Sequence, residues 1–328
     1  MRFVILSSFL ALFSSSRLPA GEPLRFEGGD GPGKGKHIVL IAGDEEYRSE
    51  ESMPMLARIL AERHGFDCSV LFSLAKDGAI APNNGTSLSA PQALDSADAV
   101  VMLIRFRKWP DDAMAAFDRA MKRGVPVVAL RTSTHAFQLP KDSAFASYNQ
   151  FGKEILGEKW VSHWGKHKHE ATRGVIEEKH ADHPVLRGVS DIFGDSDVYE
   201  AAPPEDASIL LRGRVLAGME PDSPPASYSK KRADGTIQDV NDPMMPIAWT
   251  RENRQGSERP RKVLCTTMGA ATDLENEDLR RLVVNGVFWA LELDVPAKAA
   301  VAPVGPFLAL PYGFNTFRKN IRPEEHTK

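Results

Sequence analysis

The 328-residue chain has little cysteine and, beyond its N-terminal region, no apolar run of membrane-spanning length. Its two cysteines, Cys68 and Cys265, lie in apolar runs typical of strands, where a free thiol behaves as a small buried hydrophobe. A disulfide between them remains an open alternative, because a bridge requires Cα atoms within about 7 Å of each other. The sequence therefore predicts no membrane span and leaves the redox state of the cysteines undecided.

The chain also lacks a stripe of basic residues. Its 41 basic and 44 acidic residues are mixed along the sequence, and the formal net charge is −3. Binding to a nucleic-acid backbone requires lysine and arginine concentrated where they can neutralise phosphates. We therefore expect no nucleic-acid partner.

Residues 1–20 have the pattern of a secretory signal peptide. Arg2 precedes an apolar run from Phe3 to Phe13, and small residues lead to a cleavage site after Ala20. The apolar run is too short for a transmembrane anchor. We expect a periplasmic or secreted protein; an uncleaved N-terminus is the alternative, since Arg17 lies close to the cleavage site.

Strand and helix patterns alternate through residues 37–295, after a Gly-rich linker at 21–36. Strand patterns occupy 37–42, 67–72, 99–104, 125–130, 208–216, 245–250 and 262–268, and helix patterns occupy 50–65, 110–123 and 275–293. The alternation predicts an α/β fold with a doubly wound, mostly parallel sheet. Residues 151–200 are interpreted as a His-rich insertion at the sheet edge, and 296–328 as a Pro-rich C-terminal tail.

Polar loops follow several of the predicted strands. Ligands of open parallel sheets bind beyond the carboxyl ends of the strands, so these loops predict a cleft for a polyhydroxylated or anionic small molecule. The candidate substrate-binding residues are Asp44, Glu45, Tyr47, Arg105, Arg131, Thr132, Ser133 and Asp273, together with Trp164 and Tyr199 from the insertion. The alternative is that the arginines pair with the carboxylates and only hold the loops in place.

The chain contains no Gly-x-Ser-x-Gly or Gly-x-Cys-x-Gly pattern, which disfavours a serine or cysteine nucleophile on a strand-to-helix turn. Ser133 and His135 are too close in sequence to imply a catalytic pair, and Ser133 is more typical of a turn hydroxyl. His135, His163 and Asp197 remain the candidate catalytic residues.

The segment from His163 to Glu170 contains three histidines. In an extended conformation His163, His167 and His169 would share one face and, with Glu170 or His183 nearby in sequence, could bind a divalent metal. They could equally bind sugar hydroxyls, act as a general base, or bond to the backbone. A divalent metal is thus a candidate, and no other cofactor is expected.

Several longer segments together resemble the ThuA-like (trehalose utilization) family, and most closely a version found in planctomycete-type bacteria. They are YNQFGKEILGEKWVSHWGKHKHE, the His183-Pro184 pair, DVYE around Tyr199, PIAWT around Trp249, TTMGAATDLENEDLRRLVVNGVFWALEL, and the tail motif PYGFNTFRKNIRPEEH. The resemblance implies a flavodoxin-like three-layer sandwich of the class I glutamine amidotransferase type without its catalytic cysteine. It also implies a carbohydrate ligand and a role in using disaccharides or oxidised sugars.

Two positions depart from the pattern of this family. Arg131 stands where many ThuA-like sequences carry a histidine, and Gly269-Ala270 replaces a Gly-His pair, whereas His163 and Tyr199 match. Three hypotheses follow: a hydrolase or isomerase that processes a sugar, a non-catalytic carbohydrate-binding or scaffold protein, and a metal-dependent hydrolase. The oligomeric state is left open.

Overall fold

The computed structural model describes residues 22–327. The predicted signal peptide at 1–20 lies outside the described residues. No helix within 22–327 is long and apolar enough to cross a bilayer.

The described elements follow one another along the chain. They are β1 (Leu24–Phe26), β2 (His37–Gly43), α1 (Ser49–His64), β3 (Asp67–Phe72), β4 (Ala99–Ile104), α2 (Asp111–Lys122), β5 (Val127–Leu130), β6 (Thr172–Ile176), β7 (Phe193–Gly194), β8 (Ser208–Val215), β9 (Ser229–Lys231), β10 (Ile237–Asp239), β11 (Met245–Asn253), β12 (Arg261–Thr266) and α3 (Glu277–Ala290). Short 3₁₀ turns connect several of them.

Within 22–327, ten strands form one mixed sheet in the order β1-β3-β2-β4-β5-β12-β11-β8-β6-β7. The five strands from β3 to β12 run parallel, and the four from β11 to β7 join antiparallel. The predicted α/β class is confirmed. The parallel order does not extend to β8 and β11, since β11 is antiparallel to both β12 and β8. The loop of residues 254–260 between β11 and β12 is too short for the crossover that a parallel pair needs.

Helices cover both faces of the parallel strands. Alternate residues of β2 point to opposite sides: Leu40 packs in a cluster with α1 and α3, and Ile41 packs in a second cluster with α2. The three parallel strands β2, β4 and β5 are buried along nearly their whole length, as their continuous apolar runs predict. Cys68 and Cys265 are both buried and unpaired.

The carboxyl ends of the parallel strands meet at one edge of the sheet. Residues Arg131–His135 form a 3₁₀ turn directly after β5, and Arg131 has a left-handed backbone with φ of 44°. Residues 151–200 contribute β6 and β7, the last two strands in the order of the sheet. The same residues pass over the carboxyl ends of the parallel strands, where His163 pairs with Tyr199 as an isolated bridge. The C-terminal tail also returns here, since Gly313 N–H donates to the carbonyl of Glu46 over 2.8 Å.

Candidate functional site

The carboxylate of Asp197 is the centre of a buried polar cluster. His163 Nδ1 lies 2.7 Å from its Oδ2, and His167 Nδ1 and Arg131 Nη2 lie 2.9 and 3.0 Å from its Oδ1. Burial alone would raise the pKa of Asp197, but Arg131 and the two histidine bonds lower it below its usual range. Asp197 is therefore ionised, and each of the two Nδ1 atoms carries the proton that it donates.

The backbone around His163 is fixed by the neighbouring chain. Trp164 N–H donates to the carbonyl of Val198 over 2.7 Å, which places His163 opposite Tyr199. The indole of Trp164 is fully buried and donates to the carbonyl of Val240 over 2.9 Å. Trp164, a predicted substrate-binding residue, therefore anchors this segment in the core.

A tight turn presents His167 to the same carboxylate. Glu170 N–H and His169 N–H both donate to the carbonyl of Lys166, and Lys168 has a left-handed backbone with φ of 63°. Because the chain turns here, His169 is exposed and lies away from Asp197. Glu170 is buried and accepts from Lys166 N–H at 2.8 Å, so it closes the turn.

Arg131 is completely buried beneath this cluster. Besides the Asp197 side chain, its guanidinium donates to the carbonyls of Asp197 and Thr267 over 2.7 and 2.8 Å and to the Tyr47 hydroxyl over 3.2 Å. It also lies 4.0 Å from the centre of the Tyr199 ring. Burial opposes the charge, but Tyr199, Tyr47 and Asp197 raise the pKa of Arg131 above its ordinary value. Arg131 therefore positions Asp197 and the two tyrosines.

A cavity of about 70 Å³ opens beside the cluster at the carboxyl ends of the strands. Its lining combines aromatic and hydrogen-bonding side chains: Glu46, Tyr47, Arg105, Phe106, Thr132, His135, Trp160, His163 and Tyr199. A larger cavity of about 470 Å³ lies at the opposite edge, where Lys36 precedes β2 and Pro126 precedes β5. Parallel sheets bind ligands at the carboxyl edge, so the smaller cavity is the candidate site.

The histidines around the cavity have different electrostatic environments. Hydrogen bonds to Asp197 and Glu46 raise the pKa of His167 to about 9, so it is a cation with both ring nitrogens occupied. Burial and the nearby Arg105 and Arg131 lower the pKa of His135 to about 3, so it is neutral. His163 donates through Nδ1, and within residues 22–327 no side chain or backbone group bonds its Nε2. His135 bonds through Nδ1 to the Thr134 hydroxyl, and its Nε2 also has no bond within the described residues. Both cavity histidines therefore have a nitrogen available to a ligand, but of the two only His163 is bonded to a carboxylate.

Four of the predicted substrate-binding residues line the cavity: Tyr47, Arg105, Thr132 and Tyr199. Two predicted catalytic residues, His135 and His163, line it as well, and Asp197 lies directly behind His163. Glu45 lies beside it and pairs with Arg105 at 3.0 Å and Arg107 at 2.7 Å. The loops after β2, β4 and β5 and the insertion therefore meet at one site.

The other predicted substrate-binding residues are buried and bonded to the protein itself. Asp44 accepts from the Thr132 hydroxyl and from the Glu46 N–H. The Ser133 hydroxyl donates to the carbonyl of Met102 over 2.9 Å. Asp273 accepts from the N–H groups of Ser196, Gly269 and Ala270 at 2.9 to 3.1 Å. As with Arg131 and Trp164, these bonds hold the loops that form the cavity.

The predicted metal ligands are only partly brought together. His163, His167 and Asp197 each offer one ligand atom within 4.8 Å of the others, whereas His169 lies outside this group. His183 is also elsewhere, where its ring accepts from Val185 N–H. Imidazole and carboxylate donors suit Zn²⁺. The fit is incomplete, because both Nδ1 atoms already donate to Asp197 and the Arg131 cation occupies one of its oxygens.

Three lining residues, Glu46, Phe106 and Trp160, and the adjacent Tyr312 were not among the residues predicted from sequence. Glu46 follows Glu45 in the same polar loop, and Trp160 lies in the segment that resembles ThuA-like domains. The sequence around both residues therefore pointed to the site. Tyr312 lies 5.1 Å from the Tyr47 ring and 5.7 Å from the His167 ring, measured between ring centres. Tyr312 lies in the tail motif that also resembles the family, but its contacts with Tyr47 and His167 depend on how the tail folds back onto the site.

Comparison with known proteins agrees with this architecture. Residues 38–290 match the family model named ThuA and described as trehalose utilisation. No curated protein matches the chain.

Two solved structures were compared with this fold. A ThuA-like protein from Parabacteroides merdae aligns with a TM-score of 0.51 at 16% identity, over 79% of this chain and 90% of that one. A ThuA-like protein from Bacteroides uniformis aligns with a TM-score of 0.47 at 14% identity, over 81% and 94%. Only the first score is high enough to support the shared fold. Because the family model covers most of the chain, including the strands and loops that build the cavity, the protein belongs to the ThuA family.

Proposed function

We propose that this protein binds a sugar or sugar derivative in the cavity and processes it with His163 as the general base or acid. The observation that carries the proposal is the 2.7 Å bond between His163 Nδ1 and the buried Asp197, made by a histidine whose ring lines the cavity. The match to the family described as trehalose utilisation supports a sugar as the ligand class.

The geometry accounts for how His163 would act. Asp197 accepts from Nδ1 and so leaves the lone pair on Nε2, the nitrogen at the other side of the ring. When Nε2 takes a proton from the substrate or from water, the carboxylate stabilises the imidazolium that forms. Proton transfer by a positioned side chain typically contributes about 10²- to 10⁴-fold in rate.

The walls of the cavity suit a carbohydrate. Phe106, Trp160 and Tyr199 offer aromatic surface for the apolar C–H face of a sugar ring, and Glu46 and Arg105 offer hydrogen bonds for hydroxyls. The Trp160 Nε1 is buried and has no hydrogen-bond partner within residues 22–327.

Four potential nucleophiles, two hydroxyls and two thiols, bear on the class of reaction. The hydroxyls of Thr132 and Ser133 bond to Asp44 and Met102, and Cys68 and Cys265 are buried in strands β3 and β12. A covalent intermediate on any of them is therefore disfavoured. We propose an isomerisation or a hydrolysis in which His163 moves a proton to or from the sugar or an attacking water.

The test combines binding and turnover. Purified protein is titrated calorimetrically with trehalose, other disaccharides and keto-sugars, and the same compounds are incubated with it and followed by NMR. We expect turnover of at least one compound, lost by at least about 100-fold in His163→Ala. His169→Ala, an exposed histidine in the same segment, is the matched control and should retain activity. Equal turnover in both variants would refute the role of His163.

A non-catalytic carbohydrate-binding protein is the alternative, and Arg131 and Ala270 in place of the family's histidines favour it. Both residues are fully buried, so neither can contact a ligand in the cavity. Binding of a sugar without turnover of any compound in the panel would identify the binding module. Absence of both would refute a carbohydrate role altogether.

A metal-dependent hydrolase is the third candidate, favoured by the convergence of His163, His167 and Asp197. Metal binding would require His163 or His167 to release its proton and Asp197 to share its charge with Arg131. Elemental analysis of protein purified without chelators, followed by a Zn²⁺ titration of wild type and His167→Gln, tests it. Stoichiometric zinc lost in His167→Gln would support the metal site over the proton-transfer dyad.

A further inference from the structure

We propose that Phe314, in the C-terminal tail, forms an outer subsite that holds the second ring of a disaccharide whose first ring enters the cavity. This inference rests on the proposed carbohydrate function and names the substrate class more closely. The tail lies beyond residues 38–290, the part matched by the family model.

The tail is bonded to the loop that carries the cavity-lining residue Glu46. Gly313 N–H donates to the carbonyl of Glu46 over 2.8 Å, and the buried Arg48 guanidinium donates to the carbonyl of Gly313. Leu310 N–H donates to Glu51 Oε2 over 2.9 Å. Since Glu46 lines the cavity, the backbone on both sides of Gly313 is held against a wall of the site.

Tyr312 extends this attachment into the polar cluster. Its ring packs on Tyr47, and its hydroxyl donates to the carbonyl of Asp195 over 3.1 Å. It is buried, and the His167 ring and the Lys168 ammonium lie 5.7 Å from the centre of its ring. Tyr312 therefore anchors the tail, and the residue two positions later is presented from a fixed backbone.

Phe314 is the exposed member of this segment. Its side chain is 49% exposed, and the Arg105 guanidinium carbon lies 4.9 Å from the centre of its ring. The same guanidinium carbon lies 5.1 Å from the ring of Phe106, which lines the cavity. Phe314 thus contacts Arg105, which itself lines the cavity and lies beside both aromatic rings.

Size explains why a ligand would use both places. The cavity of about 70 Å³ is far smaller than the ~300–1,000 Å³ typical of small-molecule pockets, so it admits only the reacting part of a ligand. The rest of a disaccharide must lie outside, against whatever surrounds the mouth. A fixed aromatic ring beside an arginine offers an apolar face for one sugar ring and a donor for its hydroxyls.

A single exposed apolar side chain is common on protein surfaces, so location must distinguish Phe314. Among residues 22–327, the other large exposed apolar side chains are Ile237 and Leu308, at 77% and 79% exposure. Neither lines the cavity. Leu308, in the same tail, is therefore the matched control.

The experiment measures dissociation constants for trehalose and for glucose, its monosaccharide half, by calorimetric titration of the full chain. We expect wild type to bind trehalose more tightly than glucose. Phe314→Ala should weaken trehalose binding roughly three- to tenfold and leave glucose unchanged, which is the size typical of an aromatic contact. Phe314→Trp should retain the preference, and Leu308→Ala should behave as wild type.

The outcomes separate this inference from the function on which it rests. If wild type binds trehalose and glucose equally, or Phe314→Ala weakens both alike, the outer subsite is refuted while the cavity proposal stands. If wild type binds neither sugar, the carbohydrate proposal fails and the subsite fails with it. Thermal unfolding of each variant shows whether the protein remains folded. If Phe314→Ala is unfolded, the test is the Phe314→Trp variant, and loss of its preference for trehalose over glucose would refute the subsite.

Discussion

The guanidinium of Arg131 and the carboxylate of Asp197 form an ion pair with both side chains completely buried, 3.0 Å apart. The pair joins the turn after β5 to the segment that precedes Tyr199, two parts of the chain 66 residues apart. It compensates the buried charge of Asp197 and thereby fixes the acceptor to which His163 and His167 donate. At the position where many ThuA-like sequences carry a histidine, this chain has Arg131, which holds Asp197 in place.

Replacing Arg131 with methionine should destabilise the protein strongly. The substitution keeps much of the side-chain volume but removes the main cation beside Asp197, and breaking a buried pair typically costs about 3–5 kcal/mol. Urea denaturation followed by circular dichroism measures the change in the free energy of unfolding. Arg119→Met, which removes an exposed arginine paired with Asp95, is the control and should leave the midpoint nearly unchanged. Equal midpoints for the two variants would contradict the scaffolding role.

His167 should make stability depend on pH. Asp197 and Glu46 raise its folded-state pKa from 6.5 to about 9, so its contribution is complete below pH 6.5 and is lost as the pH rises through about 9. Solvent screens this partly exposed side chain, and we expect about 1 kcal/mol. The free energy of unfolding of wild type minus that of His167→Gln should be larger by this amount near pH 6 than near pH 10. His169→Gln is the matched control, and a pH-independent difference for His167→Gln would argue against the prediction.

Gly152→Ala should destabilise the protein. A Cβ added there would lie 1.9 Å from the carbonyl oxygen of Thr134 and 2.8 Å from that of Glu158, both backbone atoms that cannot rotate away. Gly152→Ala should therefore cost roughly 1–3 kcal/mol of stability, since the turn carrying His135 must shift. Gly29→Ala, with nothing within 4 Å of the added Cβ, is the control. Thermal unfolding compares the two, and an unchanged transition in Gly152→Ala would show that this contact can relax.

Trp160 should contribute to ligand binding more than to proton transfer. Its indole lines the cavity and lies 5.7 Å from His163, measured between ring centres, without bonding to it. Trp160→Ala should raise KM for a turned-over sugar roughly three- to tenfold and change kcat little. Trp289, a half-buried tryptophan on α3 away from the cavity, provides the control variant Trp289→Ala. A loss confined to kcat would assign Trp160 to the chemical step instead.

The histidine-rich segment shows where sequence reasoning reached its limit. The alternation of residues two apart predicts a shared face only for an extended chain, and this chain instead turns at Lys168, which has a positive φ. The turn removes His169 from the cluster and leaves His163 and His167 on Asp197, 30 to 34 residues away in sequence. Likewise, strand patterns at β8 and β11 were visible, but their antiparallel direction depends on how the strands pair in the folded chain, which the apolar pattern does not record.

The sequence by itself determined the α/β class, the strands whose continuous apolar runs are buried on both faces, and the polar loops at their carboxyl ends. These features depend on residues close together in the chain. Only the tertiary structure decided which polar residues line the cavity and which bond to the protein and hold its loops in place. Asp44, Arg131 and Asp273 are buried and hold the loops, whereas Glu46 and Trp160 line the cavity. The reason is that a buried charge must find a partner. The partners of Asp197 are Arg131, from the turn after β5, and two histidines 30 to 34 residues earlier in the chain, and these groups meet only in the folded chain.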